Sequence, residues 1–344
     1  MGATERRRRQ RRFGRPALLA ATLVATLGAG QTSATTIEPV LNDREIDEFG
    51  AAVTDGSLAW TEYDDRGELR AYVMPDGGEP LMIGRPDPPG TFSPGVSIWG
   101  ATGVIWVVGW DRDGSPSSDL RMFDALTGER SAPPEGVNTR ADEEEPSISG
   151  DWLVFTRRAP WGRGGGPKDR PQDRVILFNL ATLEERVLVK IPAEGHWLAS
   201  GQVNGDWATW ESCDGDPVDS WGNCQVYRYR IQTSETEILP NPGLQQYGAG
   251  IASDGTAYAV RSGGSDTYAC GDGAVIVRVL PDGTSDVVAS LAGGKDANNV
   301  FAFEEADGST VLYFDRVRCS DYARNVYRVA LPLVQASTAE GRAR

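Results

Sequence analysis

A short turn-and-strand pattern recurs six times along this 344-residue chain. The copies read AAVTDGSLAWTE, SIWGATGVIWVV, PSISGDWLVFTR, GQVNGDWATWES, GIASDGTAYAVR and FEEADGSTVLYF. Each joins an apolar strand to a second strand rich in β-branched and aromatic residues. The joints are the turn glycines Gly56, Gly103, Gly150, Gly205, Gly255 and Gly308. A repeat period of about 40–50 residues built from short strands defines a β-propeller, whose blades bury their faces only against one another.

Two further strands follow each hairpin. Third strands read LRAYVM from Leu69, LRMFDA from Leu120, VILFNL from Val175, VYRYRI from Val226, VIVRVL from Val275 and VYRVAL from Val326. Their alternating side chains put one face on the next blade and the other on the previous one. Fourth strands follow as EPLMIG, EERVLV, ETEILP and SDVVAS, and the second repeat marks its own poorly. Asp55-Gly56, Asn204-Gly205, Asp254-Gly255 and Asp307-Gly308 carry the composition of type I′ hairpin turns. The expected fold is all-β: a six-bladed propeller of four-stranded antiparallel blades over residues 35–334, with residues 335–344 a polar tail. The sixth repeat has three strands, and Thr35–Leu41 is a strand without a partner. This N-terminal strand is expected to complete the last blade and close the ring, removing an exposed sheet edge.

Residues 1–34 are read apart from the fold. A basic stretch with arginines at 6–9, 11, 12 and 15 precedes an apolar stretch of 13 residues, Ala17–Ala29, and a small-residue site, Thr32-Ser33-Ala34. This is the pattern of a secretory signal peptide, too short in its apolar part to span a bilayer. Arg11-Arg12-Phe13 resembles a twin-arginine signal. Seven of the 34 basic residues and one of the 49 acidic residues lie in this leader, so the remaining 310 residues carry a net charge of −21. Such a surface repels nucleic acid and anionic membranes. A secreted or periplasmic protein is expected, without stable membrane insertion once the leader is removed, and acting as a monomer.

Four cysteines in a secreted chain suggest two disulfides, with three possible connectivities. The blade map favours Cys213–Cys224, flanking one loop, and Cys270–Cys319, on neighbouring loops.

The pattern resembles the TolB-like six-bladed propellers, whose repeat centres on a Ser-Pro-Asp-Gly turn. Ser253-Asp254-Gly255 and Thr54-Asp55-Gly56 match without the proline, and Gly150-Asp151 and Gly205-Asp206 are variants. The resemblance implies the six-bladed fold. TolB's amino-terminal α/β domain has no counterpart in this sequence, so its envelope role is not implied.

Long loops join strands two to three and blade to blade, and they share one face, which is the expected binding surface. Trp161 and Trp221 lie there, where an indole could stack on a sugar or peptide. Glu144 and Glu145 end the acidic run 142–145 just before an inner strand; the simpler reading is solvated surface. His196, the only histidine, and Trp197 sit on another blade-to-blade segment. Asp214, Asp216 and Asp219 fall inside the first disulfide loop, a spacing that suits calcium loosely, though a solvated acidic turn is the simpler account.

The absences narrow the chemistry. One histidine excludes a site of several imidazoles. No G-x-S-x-G elbow, P-loop or dinucleotide fingerprint occurs. No catalytic residue and no cofactor other than calcium is therefore expected. The leading expectation is a non-enzymatic propeller that binds a protein, peptide or glycan on its long-loop face. The alternative is a carbohydrate-active hydrolase or lyase, which needs two carboxyl groups facing each other, drawn from acids such as Glu144, Glu145 and Asp214. A purely structural envelope role is the third.

Overall fold

The computed structural model describes residues 36–332 apart from 42–45, 55–56, 64–66, 85–94, 111–115, 159–171, 193–194, 215–221, 244, 263–272 and 321–322. The leader and the tail lie outside these residues, as do Asp216, Asp219, Trp161, Trp221 and Cys270. Twenty-four strands form six antiparallel sheets of four. Blade one is β2 (Glu48–Thr54), β3 (Ser57–Tyr63), β4 (Leu69–Pro75) and β5 (Leu81–Gly84). Blade two is β6 (Val96–Trp99), β7 (Thr102–Trp110), β8 (Pro116–Asp124) and β9 (Arg130–Ser131), its fourth strand only two residues long. Blade three is β10 (Asp142–Ser149), β11 (Trp152–Arg158), β12 (Gln172–Asn179) and β13 (Glu185–Pro192). Blade four is β14 (His196–Asn204), β15 (Trp207–Asp214), β16 (Gly222–Arg230) and β17 (Glu235–Ile238). Blade five is β18 (Gln245–Ile251), β19 (Ala257–Ser262), β20 (Ala274–Val279) and β21 (Ser285–Ser290). Blade six is β22 (Lys295–Glu304), β23 (Thr310–Arg318) and β24 (Arg324–Ala330), completed by β1 (Ile37–Leu41). The closing strand pairs Ile37 with Val329 and Pro39 with Tyr327.

The apolar core is divided among the blade junctions, as a propeller requires. Val73, Ile83, Ile98 and Phe123 pack between blades one and two. Leu120, Phe155, Ile176 and Phe178 fill the next junction. Trp210 packs with Val154 and Leu177 between blades three and four, and Trp60 with Tyr313 and Val326 between blades one and six.

The turns differ from the expectation. Gly103 is no turn residue: it lies in β7 opposite Ile98 and Phe123, and a Cβ there would fall 2.0 Å from the Phe123 ring. The turn is Gly100-Ala101, and in Gly100, Gly150 and Gly205 positive φ falls on the glycine alone, as in a type II′ turn. Blades five and six use a longer loop. Gly255 N–H donates to the Ala252 carbonyl at 3.0 Å, and Ala252 N–H to that of Thr256 at 2.9 Å. The aspartates of these Asp-Gly pairs keep negative φ and instead accept an N–H two residues on: Thr256 to Asp254 at 2.7 Å, Ser309 to Asp307 at 2.8 Å.

Every inner strand is a sheet edge with unpaired N–H groups, which must find acceptors. The preceding blade supplies them. Thr54 Oγ1 accepts from Gly100 at 3.0 Å, Ser97 Oγ from Ile148 at 3.1 Å and Ser147 Oγ from Val203 at 3.0 Å. Small polar residues near the axis are thus joints between blades. Crowding adds to this in blades five and six, where a Cβ on Gly250 would lie 2.7 Å from the Val300 carbonyl.

Candidate functional site

A cavity of about 490 Å³ sits at the hub, lined by all six inner strands. Most of its residues come from the middle of these strands, joined by Glu211 of β15 and Arg324 of β24. A β-bulge places them. In β2, β10, β14, β18 and β22 the register slips by one residue at the same level, after Phe49, Glu144, Ser200, Tyr247 and Asn298. A bulge adds a residue on one strand and re-aims its side chains. The first bulged residue adopts a left-handed backbone in four of these strands: Gly50 (φ 64°), Glu145 (53°), Gly248 (63°) and Asn299 (49°). Glycine and asparagine tolerate that conformation; glutamate does so only at a cost of about 1–2 kcal/mol.

Glu145 lines the cavity. Its carboxylate accepts the Thr156 hydroxyl at 3.1 Å and lies 3.6 Å from the Arg158 guanidinium. Burial, opposed by Arg158 and reinforced by the nearby charges of Glu144 and Glu211, pushes its carboxyl up to about 8. The Ser200 hydroxyl donates to the Glu145 carbonyl, fixing the bulge to blade four.

Glu211, on β15, is the second acid of the cavity. One oxygen accepts the Gly248 N–H at 2.6 Å. Among the described residues it has no ion pair, and enclosure within the ring pushes it up to about 7 despite that N–H. Nearby, Asp315 accepts the Gly50 N–H at 2.8 Å and an Asn299 amide N–H at 2.6 Å, and burial lifts it to about 7 as well.

Most of the remaining wall is aromatic and neutral: Phe49, Trp197, Tyr247 and Phe301 with Ser97, Gln202 and Asn298. The Tyr247 hydroxyl donates to buried Asp296 at 2.8 Å, which with burial raises the phenol far above its ordinary value. Arg324 is the one cation among the described lining residues; it is held by Asp47 at 3.0 Å and lies over the Phe49 ring at 3.6 Å.

The acidic run of blade three is not a solvated face. Asp142, Glu143 and Glu144 are buried. Glu143 pairs with Arg157 at 2.9 Å and accepts the Thr139 hydroxyl at 2.7 Å, and burial still lifts it to about 7. Glu144 pairs with Arg158 at 2.5 Å, and Arg158 also binds Asp173 at 3.1 Å and the Leu198 carbonyl at 2.8 Å. The Arg158 guanidinium covers the Trp197 ring at 3.5 Å. Of the candidate residues in the described part, Glu145 and Trp197 therefore meet at the cavity, whereas Glu144 turns to the arginine behind it. His196 points away to the exterior, where its Nδ1 lies 3.2 Å from Asp214.

Cys213 and Cys224 are bonded. Cys319 is also in a disulfide, and Cys270, its expected partner, lies outside the described residues. Asp214 is exposed at the end of β15, and among the described residues no group of three potential metal ligands occurs.

Sequence reasoning missed Glu211, Tyr247, Asn299 and Arg324. Aligning inner strands at the bulge offered a signal, because Glu145 occupies the place taken by Gly50, Gly248 and Asn299 elsewhere.

The fold and site define a six-bladed β-propeller with an acid-lined central cavity. Solved structures similar to this chain include TolB from Acinetobacter baumannii (14% identity, TM-score 0.47), covering 80% of this chain and 64% of that one. An oligogalacturonate lyase from Vibrio parahaemolyticus matches at 14% identity and TM-score 0.47, covering 85% and 84%. The β-propeller domain of the Trilobed protease from Pyrococcus furiosus matches at 12% identity and TM-score 0.48, covering 81% and 78%. This chain thus spans less than two thirds of the Acinetobacter protein's length. No family model matches the sequence, and no curated protein matches it.

Proposed function

We propose that this chain is an extracytoplasmic binding protein that seats part of a peptide or glycan in the central cavity. The carrying observation is the cavity itself: about 490 Å³, bordered by Glu145, Glu211 and Trp197. A concave site with aromatic walls and a few converging polar groups is what a specific ligand requires. Carboxyl groups raised by enclosure mark such sites. The disulfides agree with an oxidising compartment. Calorimetric titration against peptide and oligosaccharide panels tests the reading. Binding is expected to weaken at least about tenfold in Glu211→Gln or Trp197→Ala, a loss near 1.4 kcal/mol. A ligand bound equally well by both variants would put the site elsewhere.

The second reading, a carbohydrate-active hydrolase or lyase, is favoured by one observation. Two acids, Glu145 and Glu211, border one cavity, and both are raised. Glu145, protonated at neutral pH, would serve as general acid beside a carboxylate partner. Reducing-end release from oligosaccharides, lost in both Glu145→Gln and Glu211→Gln, is the expected result for an enzyme. No release from any substrate that binds would exclude it.

A further inference from the structure

The hub is electronegative to a degree that a neutral ligand does not explain. Glu145 and Glu211 border the cavity, and Glu144, Asp173, Asp296, Asp315 and Asp47 stand directly behind its wall. The ion pairs of this group run to the guanidiniums of Arg158 and Arg324. Arg158 is shared among Glu144, Glu145 and Asp173, and Arg324 is bonded to Asp47. Glu211 keeps one oxygen beyond its Gly248 contact and, among the described residues, meets no cation. Four aromatic residues complete the wall. A concave low-dielectric cleft of one sign focuses its field inward, and aromatic faces add a negative quadrupole.

We infer that the cavity selects an alkylammonium group, received by the free oxygen of Glu211 and by Glu145, which releases its proton to water as the cation enters, across an aromatic collar. This rests on the cavity being the binding site. The backbone of Glu145 gives independent support. Three equivalent bulges use glycine or asparagine for their left-handed residue, and this one retains a strained glutamate that lines the cavity. Leu183 and Ser234 take the same backbone in hairpin turns; among the inner-strand bulges Glu145 is the residue that bears it at a strain cost.

The test titrates the purified protein with three probes of one shape, n-butylammonium, n-butanol and butyrate, by calorimetry and by NMR of the indole signals. Butylammonium is expected to bind at least about tenfold tighter than either other probe, a gap near 1.4 kcal/mol. Glu211→Gln, which keeps the size and an acceptor for Gly248, is expected to abolish that preference. Glu145→Gln serves as the second variant should the first fail to fold. Equal binding of butanol or butyrate, no butylammonium binding, or an unchanged preference in the variants would overturn the inference. If butylammonium fails while a peptide or glycan is still lost in Trp197→Ala, the cavity remains the site and only the cation is wrong. If peptide or glycan binding ignores both Trp197→Ala and Glu211→Gln, the site itself is wrong.

Discussion

The Glu211 carboxylate of blade four accepts the Gly248 N–H of blade five at 2.6 Å, and the same carboxylate borders the central cavity. One side chain therefore joins two blades and shapes the site. Behind the cavity wall, Asp315 joins blades six and one through Gly50, and Thr156 joins blades three and four, accepting the Ser200 N–H at 2.8 Å. The chemistry of the hub and the integrity of the ring are coupled through these acceptors.

That coupling fixes how stability responds to pH. Glu143, Glu211 and Asp315 are raised to about 7 and Glu145 to about 8, each mainly by burial. The folded chain holds these protons more tightly than the unfolded chain does. Their stabilising contribution is complete below the ordinary carboxyl range, near pH 4, and is lost as pH rises through 7 to 8. The melting temperature is expected to fall between pH 5 and 8, and less so in Glu211→Gln. An equal fall in that variant would remove Glu211 from the effect and leave general charge repulsion as its cause.

The bulge at Glu145 makes a second, opposite-signed prediction. Glu145→Gly relieves a left-handed backbone strain of about 1–2 kcal/mol and removes an enclosed acid. It forfeits the Thr156 hydrogen bond and the Arg158 contact. Equilibrium unfolding is expected to show unchanged or slightly higher stability together with weakened ligand binding. A loss above about 2 kcal/mol would show that Glu145 is chiefly structural.

Gln202 is the most connected neutral side chain of the hub. Its oxygen accepts the N–H groups of Ile251 and Ala302, each at 2.9 Å, and its amide donates to the Ala302 carbonyl at 2.7 Å. It links blade four to blades five and six at once. Gln202→Ala strands several backbone groups, each worth about 1–3 kcal/mol when buried and unpaired. A loss of about 2–4 kcal/mol is expected in denaturant unfolding. A loss below about 1 kcal/mol would show that cavity water replaces the amide.

The blades were legible in the sequence because their signals are local. A strand of alternating or continuous apolar residues, such as Val175–Leu177, announces itself within a few positions, whereas a turn glycine does so less surely: in blade two it is Gly100, not Gly103. The hub was not legible for the opposite reason. Whether Glu144 or Glu145 reaches the cavity depends on a one-residue slip in β10, and a single slip reverses which face each side chain takes. The run 142–145 looked like surface because its partners, Arg157 and Arg158, stand fourteen residues away on the neighbouring strand. Glu211 carried no motif; its meaning comes from Gly248, which belongs to another blade.

Ring closure by β1 joins the two ends of the propeller, and it can be tested without knowing any ligand. Ile37 packs against the junction of blades five and six, and Glu38 pairs with Arg328 at 2.9 Å. Removing residues 35–42 leaves β24 with a bare edge, the arrangement that templates association between chains. The truncated protein is expected to melt well below the intact one and to self-associate as concentration rises. A synthetic peptide of residues 35–42 added in trans is expected to restore the melting temperature, because the groove beside β24 specifies its register through Val326–Val329. Rescue by that peptide but not by a scrambled one would separate strand addition from nonspecific stabilisation. An unchanged melt after truncation would mean that the ring is held by its blade junctions alone.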